Sequence, residues 1–247
     1  MRTLGVDLAA EPAKTALALV EWTDGVAVVR ALRLGATDEE IIAAAKGVGR
    51  IGIDAPFGWP VGFVDFVAAH HAGHPPAMSL ASRADRRPLT KRRTDLVVQR
   101  STGIVPLSVS ADRIAHVALR CAGLLARLGE AGVDVDRVDG TAVEVYPAAA
   151  LRRWGLPYRG YKGGAAGLAA SVRAVEAAAP WLDLGRFGQV FAATDDAFDS
   201  VISALIARAA AIGRTVAPTV ADRVVAVNEG WIHLPDGPLA ELPDQTV

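Results

Sequence analysis

Leu4-Gly5-Val6-Asp7, near the start of the chain, returns almost unchanged as Ile51-Gly52-Ile53-Asp54. Each is a short apolar run that ends in a carboxylate, and each meets turn chemistry at once: residues 9–13 in the first case, Pro56-Phe57-Gly58-Trp59-Pro60 in the second. The intervening chain fixes how the two stand. Thr15-Ala16-Leu17-Ala18-Leu19-Val20 reads as a returning strand, Asp24-Gly25 is a hairpin signal, and residues 26–34 make a third strand. Thr37, with Glu40 three residues on, is a capping box that opens a short helix carrying Ile41, Ile42 and Ala45 and stopping at Gly47. Strand, crossover helix and strand form a right-handed parallel unit, which lays the fourth strand beside the first and makes neighbours of Asp7 and Asp54. Singly, either acid reads equally well as a cap on the turn after its strand, and Gly52 as room for close backbone packing.

A third acidic element lies far away in sequence. In Thr194-Asp195-Asp196-Ala197-Phe198-Asp199-Ser200-Val201 and onward, apolar residues recur at helical spacing, which predicts a helix over about 195–212 with one core-facing side. Asp196 and Asp199 are three apart and project near its positive end. Thr194, Asp195 and Asp196 also fit an ordinary N-cap with first-turn acids, but Asp199 lies beyond the cap. A fourth acid, Glu144, ends the apolar run Ala142-Val143-Glu144-Val145 and is followed by a helix from 148 to 154. It suits either a metal ion or one of the arginines of a basic stretch.

That basic stretch spans residues 83–100, where Arg83, Arg86, Arg87, Lys91, Arg92, Arg93 and Arg100 face only Asp85 and Asp95. It lies in a region without clear periodicity from 78 to 110, which is expected to be a loop, either solvated or meeting nucleic-acid phosphate. Before it, a helix is expected over about 61–71. His70, His71 and His74 fall at that helix's C-terminal end, where histidines meet terminal carbonyls, and are not taken as metal ligands. Further helices are expected over 111–129 and 168–182. The glycine-rich loop 158–167 carries Arg159, Lys162 and two tyrosines and matches no phosphate-binding fingerprint. Val224-Val225-Ala226-Val227 and Trp231-Ile232-His233, flanking Asn228-Glu229-Gly230, read as a terminal hairpin.

Composition narrows the class. The 247 residues are 51% hydrophobic with a formal net charge of -1, which suits one domain with an insertion over about 56–110 and gives no global pull toward nucleic acid or anionic membrane. One cysteine excludes an internal disulfide framework. No apolar run approaches membrane-spanning length and Asp7 interrupts the N-terminal segment, so no membrane partner and a cytoplasmic location are expected. There is no Gly-x-Ser-x-Gly elbow and no Cys/His pair for covalent catalysis.

A three-stranded meander, helix, strand, helix, strand and late helices, with acids on the first strand, the fourth strand and a late helix, resemble the ribonuclease-H-like α/β fold. That resemblance implies a mixed five-stranded sheet with flanking helices. Asp196-Ala197-Phe198-Asp199-Ser200 is similar to the acidic helix motif of RuvC-type resolvases, although the second acid here is Asp54 where those enzymes use a glutamate. Gly5-Val6-Asp7, Ile53-Asp54-Ala55-Pro56, Arg93-Thr94-Asp95, Val143-Glu144-Val145-Tyr146-Pro147, Asp195-Asp196-Ala197-Phe198-Asp199 and Glu229-Gly230-Trp231-Ile232 together resemble the predicted-nuclease domain-of-unknown-function family, serial four-two-nine. The resemblance implies phosphodiester hydrolysis assisted by two Mg²⁺ or Mn²⁺ ions roughly 3.5–4 Å apart. Asp7 would bridge them, Asp54 would hold one, and Asp196 with Asp199 the other. Glu144 would be an outer ligand or orient a basic residue, and Arg92, Arg93 and Lys162 would meet substrate phosphate. A phosphatase with the same metal site and a catalytically idle interaction module are the competing readings. The actin-like kinases share the core but need a second such domain and nucleotide-binding glycine motifs.

Overall fold

The opening meander forms where its turn signals place it. In the computed structural model, which describes residues 1–243, β1 (Arg2–Asp7), β2 (Ala16–Thr23) and β3 (Val26–Leu34) run antiparallel in sequence, with Gly25 at φ +80° in the tight turn. The capping box starts α1 (Asp38–Ala44) as expected, Thr37 accepting from the Glu40 amide and Glu40 from the Thr37 amide. The chain then crosses over to β4 (Arg50–Asp54), which pairs parallel to β1 with Asp7 opposite Asp54. After α2 (Val61–His71), α3 (Arg83–Thr90), α4 (Arg93–Thr102) and α5 (Ala115–Glu130) comes β5 (Ala142–Glu144), parallel to β4. Beyond it lie α6 (Pro147–Arg153), α7 (Ala165–Ala178), β6 (Leu182–Asp183), α8 (Gly188–Ala193), α9 (Asp195–Ala211) and α10 (Val220–Glu229). The sheet is mixed, in the order β5-β4-β1-β2-β3-β6. It has six strands against the five expected, because the two-residue β6 adds to the outer edge of β3.

The pleat divides the central strands between two cores. Leu4 and Val6 of β1 and Ile51 and Ile53 of β4 face α1 and α5, packing with Ile41, Cys121 and Leu124. The alternate residues, Gly5 and Asp7, Gly52 and Asp54, face the opposite way, where α9 lies. A Cβ on Gly5 would stand 2.0 Å from the Ser200 carbonyl oxygen, and one on Gly52 2.4 Å from that of Ser203, so both glycines admit the helix backbone directly onto the sheet. With the sheet on one side and α6 and α8 on others, α9 buries fourteen of its seventeen residues instead of one stripe.

Two expectations fail in instructive ways. The terminal hairpin does not form: Val224–Val227 is part of helix α10, and Ile232 joins the sheet only through an isolated parallel bridge to Glu144. Thr219 caps α10 by accepting from the Asp222 amide, and the helix buries Asp222, Ala226 and Glu229, spaced four and three apart, while Val220 and Val224 are 89% and 71% exposed. Its hydrophobic pattern is inverted because its inner stripe meets charge. The expected loop at 83–100 is two helices, α3 with a Ser82–Asp85 capping box and α4 ended by Gly103 at φ +72°. Among the described residues no helix is long and apolar enough to cross a membrane.

Candidate metal centre

Asp7 and Asp54 end adjacent parallel strands on the face that α9 covers, two residues past the glycines that admit it. Helix contact at Gly5 and Gly52 therefore sets Asp199, one residue before Ser200, directly over the strand ends. One carboxylate oxygen from each of Asp7, Asp54 and Asp199 lies within 4.8 Å of the other two. Asp7 and Asp54 line a cavity of about 660 Å³, whereas Asp199 is wholly buried.

Three anions this close and this dry disfavour their charged forms. Burial, then Asp199 and Asp54, hold the Asp7 carboxyl well above the ordinary carboxylate range, against the pull of Lys162. Burial pushes Asp54 up to about 7, with Asp199 adding to the shift and Lys162 opposing it. Burial also raises Asp199, although Lys162 and the hydroxyl of Tyr161 favour its anion. Tyr161 donates to Asp199 at 2.9 Å from Oδ1, and the Lys162 ammonium stands 2.5 Å from Oδ2. Burial works against that ammonium, but Asp199, Asp54 and Asp7 more than offset it and raise its pKa. Half of the Lys162 side chain remains in the open.

Asp196 stands apart from this trio. It lies nearly one turn nearer the helix N-terminus, half-buried, and burial followed by Asp195 raises its pKa. A step of three residues turns a helix by about 300°, so two acids at that spacing diverge by about 60°. Only Asp199 meets the strands.

Glu144 also stands apart, for a reason of register. It pairs with Ile53, not Asp54, so the pleat sends its side chain to the opposite face. There it takes the second of its two expected roles. Arg92 gives Glu144 two hydrogen bonds, of 2.7 and 2.8 Å, and the Phe57 amide gives a third. Arg92 is itself buried, and its remaining donors go to Asp95 and the Glu229 carbonyl. Burial opposes the guanidinium's charge, but Glu144 and Asp95 together raise its pKa. This network occupies the side chain that was expected to meet phosphate. Arg93, the other expected phosphate contact, pairs with Asp222, and its backbone amide donates to Glu229 Oε2 at 2.6 Å. Glu229 also accepts from the Val61 amide, so one carboxylate caps both α2 and α4 at their N-termini.

Two residues of these networks escape a reading of the sequence. Tyr161 is one of two tyrosines in a glycine-rich loop; its place beside Lys162 is the one local signal, and nothing in it points to Asp199. Asp95 is the other: as an acid within the basic stretch it is a candidate structural partner for the arginines, but its capping position three residues after Arg92 escapes that reading.

The trio fits a hard divalent cation. All three donors are carboxylate oxygens, and Mg²⁺ or Mn²⁺ prefer oxygen ligands. No curated protein and no solved structure matches the chain. The family model described as Protein of unknown function (DUF429) matches residues 5–223, a span that holds every residue of this centre, and the chain belongs to that family.

Proposed function

We propose that this protein is a divalent-cation-dependent phosphoester hydrolase, acting as a nuclease, on a ribonuclease-H-like core. The observation that carries the reading is the convergence of Asp7, Asp54 and Asp199 at the cavity. The fold part is supported by the sheet order: β1 is central, with β4 parallel on one side, β2 antiparallel on the other, and a late helix bringing the last acid. Mg²⁺ or Mn²⁺ bound there would act as a Lewis acid on a phosphoryl oxygen and orient the attacking water. Asp7 and Asp54 would hold the ion from the strand ends and Asp199 from the helix. Lys162 supplies positive charge at the substrate phosphate, and Tyr161 fixes the orientation of Asp199.

The cavity favours a second reading alongside the first. At about 660 Å³ it has the size of a site for a nucleotide-sized ligand, so a small phosphoester suits it as well as a nucleic-acid strand. Arg83 and Arg100 on the exposed basic helices are the contacts open to a longer strand, since Arg92 and Arg93 are committed to acids.

The test is a melting-temperature series with Mn²⁺ and Mg²⁺, beside cleavage of single-stranded, duplex and branched nucleic acids and of a generic phosphate ester. Metal-dependent stabilisation and hydrolysis that both vanish in Asp7→Asn are the expected result. Wild-type protein with neither refutes the proposal.

A further inference from the structure

Resting on the metal-dependent reading, we infer that Lys162 takes the place of one of the two ions, so that the centre holds a single divalent cation paired with a tethered ammonium. The first argument is geometric. An octahedral ion with bonds of about 2.1 Å separates opposite ligands by about 4.2 Å. One oxygen from each of Asp7, Asp54 and Asp199 lies within 4.8 Å of the other two, a spread close to the ligand span of a single ion.

The second argument is an inventory of what is left. Asp199 is wholly buried, and with the Tyr161 hydroxyl at 2.9 Å and the Lys162 ammonium at 2.5 Å on its oxygens it keeps capacity only for the ion it shares with Asp7 and Asp54. Glu144 is turned to the other face and neutralised by Arg92. Asp196 does not join the trio. No carboxylate of the expected set remains to hold a second ion, and where one would sit a positive charge is already present.

The third argument is charge. Three carboxylates, one divalent ion and one ammonium sum to zero, whereas a second divalent ion with the lysine in place would leave a net positive centre in a dry site. Lys162 lines the cavity with its ammonium on Asp199, at the wall a bound phosphate would face. Its role is electrostatic.

The experiment counts Mn²⁺ bound per chain by equilibrium dialysis and calorimetric titration, in wild-type protein, Lys162→Arg and Lys162→Ala. The expected result is one ion in wild type and in Lys162→Arg. Lys162→Ala is expected to bind its first ion at least tenfold more tightly and to admit a second. Two ions in the wild type overturn the inference while leaving the metal-dependent reading intact. So does a Lys162→Ala variant that binds Mn²⁺ no more tightly than wild type. No bound ion in wild type overturns both, and the wild-type count stands whether or not the alanine variant folds.

Discussion

Glu144 and Asp54 end neighbouring parallel strands, and the fold treats them in opposite ways. Glu144 is turned toward Arg92 and the Phe57 amide, where both its oxygens find donors and one guanidinium serves it together with Asp95. Asp54 is turned toward Asp7 and Asp199, where three acids share one lysine. One residue of register separates the two outcomes. The Arg92 network ties β5, α4 and α10 together at the wall of the cavity, each acid bonded directly to the guanidinium, while the trio has three acids for one ammonium and ligand capacity to spare. Excess of unmet charge, more than the presence of acids, distinguishes a site from a brace.

If that contrast is right, removing charge from the two regions should have effects of opposite sign. The largest loss is expected for Arg92→Ala, which strands Glu144 and Asp95 in the interior and should cost about 4 kcal/mol in denaturant unfolding. A loss under about 1 kcal/mol would mean that the network is not a brace. Next comes Gly5→Ala, whose methyl would collide with the α9 backbone; about 3 kcal/mol of lost stability is expected, together with loss of any Mn²⁺-induced rise in melting temperature, because Asp199 moves with the helix. Smaller and opposite in sign, Asp7→Asn in metal-free buffer at about pH 8 should stabilise the protein by about 1 kcal/mol by relieving repulsion. Destabilisation there would place Asp7 with the structural acids.

The last effect is a pH dependence. Asp54 has its pKa pushed up to about 7, while in the unfolded chain it returns to the ordinary carboxylate range near about 3.9. Between those values the folded state holds a proton that the unfolded state has released, so metal-free stability falls as pH rises through this window and levels off above it. Asp54→Asn should flatten that slope in a melting series. With Mn²⁺ the trend reverses: the ion displaces the proton, and its stabilisation grows as pH rises through about 7.

Much of this architecture is legible in the sequence. The capping box, the hairpin turn and the crossover helix are local codes, and together they suffice to set β4 beside β1. The repeated Gly-x-Asp also carries more than it shows, since the alternation of the strand puts glycine and acid on one face and lets the first admit the helix that the second meets. Register and rotation are not legible. Whether Glu144 pairs with Ile53 or Asp54 is decided by strand pairing, and whether Asp196 or Asp199 faces the strands by how α9 rolls on two glycines. The same limit explains α10 and α4, whose buried sides carry Asp222 and Glu229 in the one and Thr94, Asp95 and Thr102 in the other. Hydrophobic periodicity is blind to a helix that buries its charges.

The seating of α9 on Gly5 and Gly52 also bears on how the protein is made. Asp7 and Asp54 emerge early in synthesis, and the helix that covers their face of the sheet emerges only after most of the chain. Until then the strands present an uncovered, grooved surface and two unsatisfied acids, and the long-range contact that closes them is of the kind that forms slowly. A centre whose last ligand arrives with the late docking helix binds metal only in chains that have finished folding. Metal uptake during synthesis would thus report completion of the core.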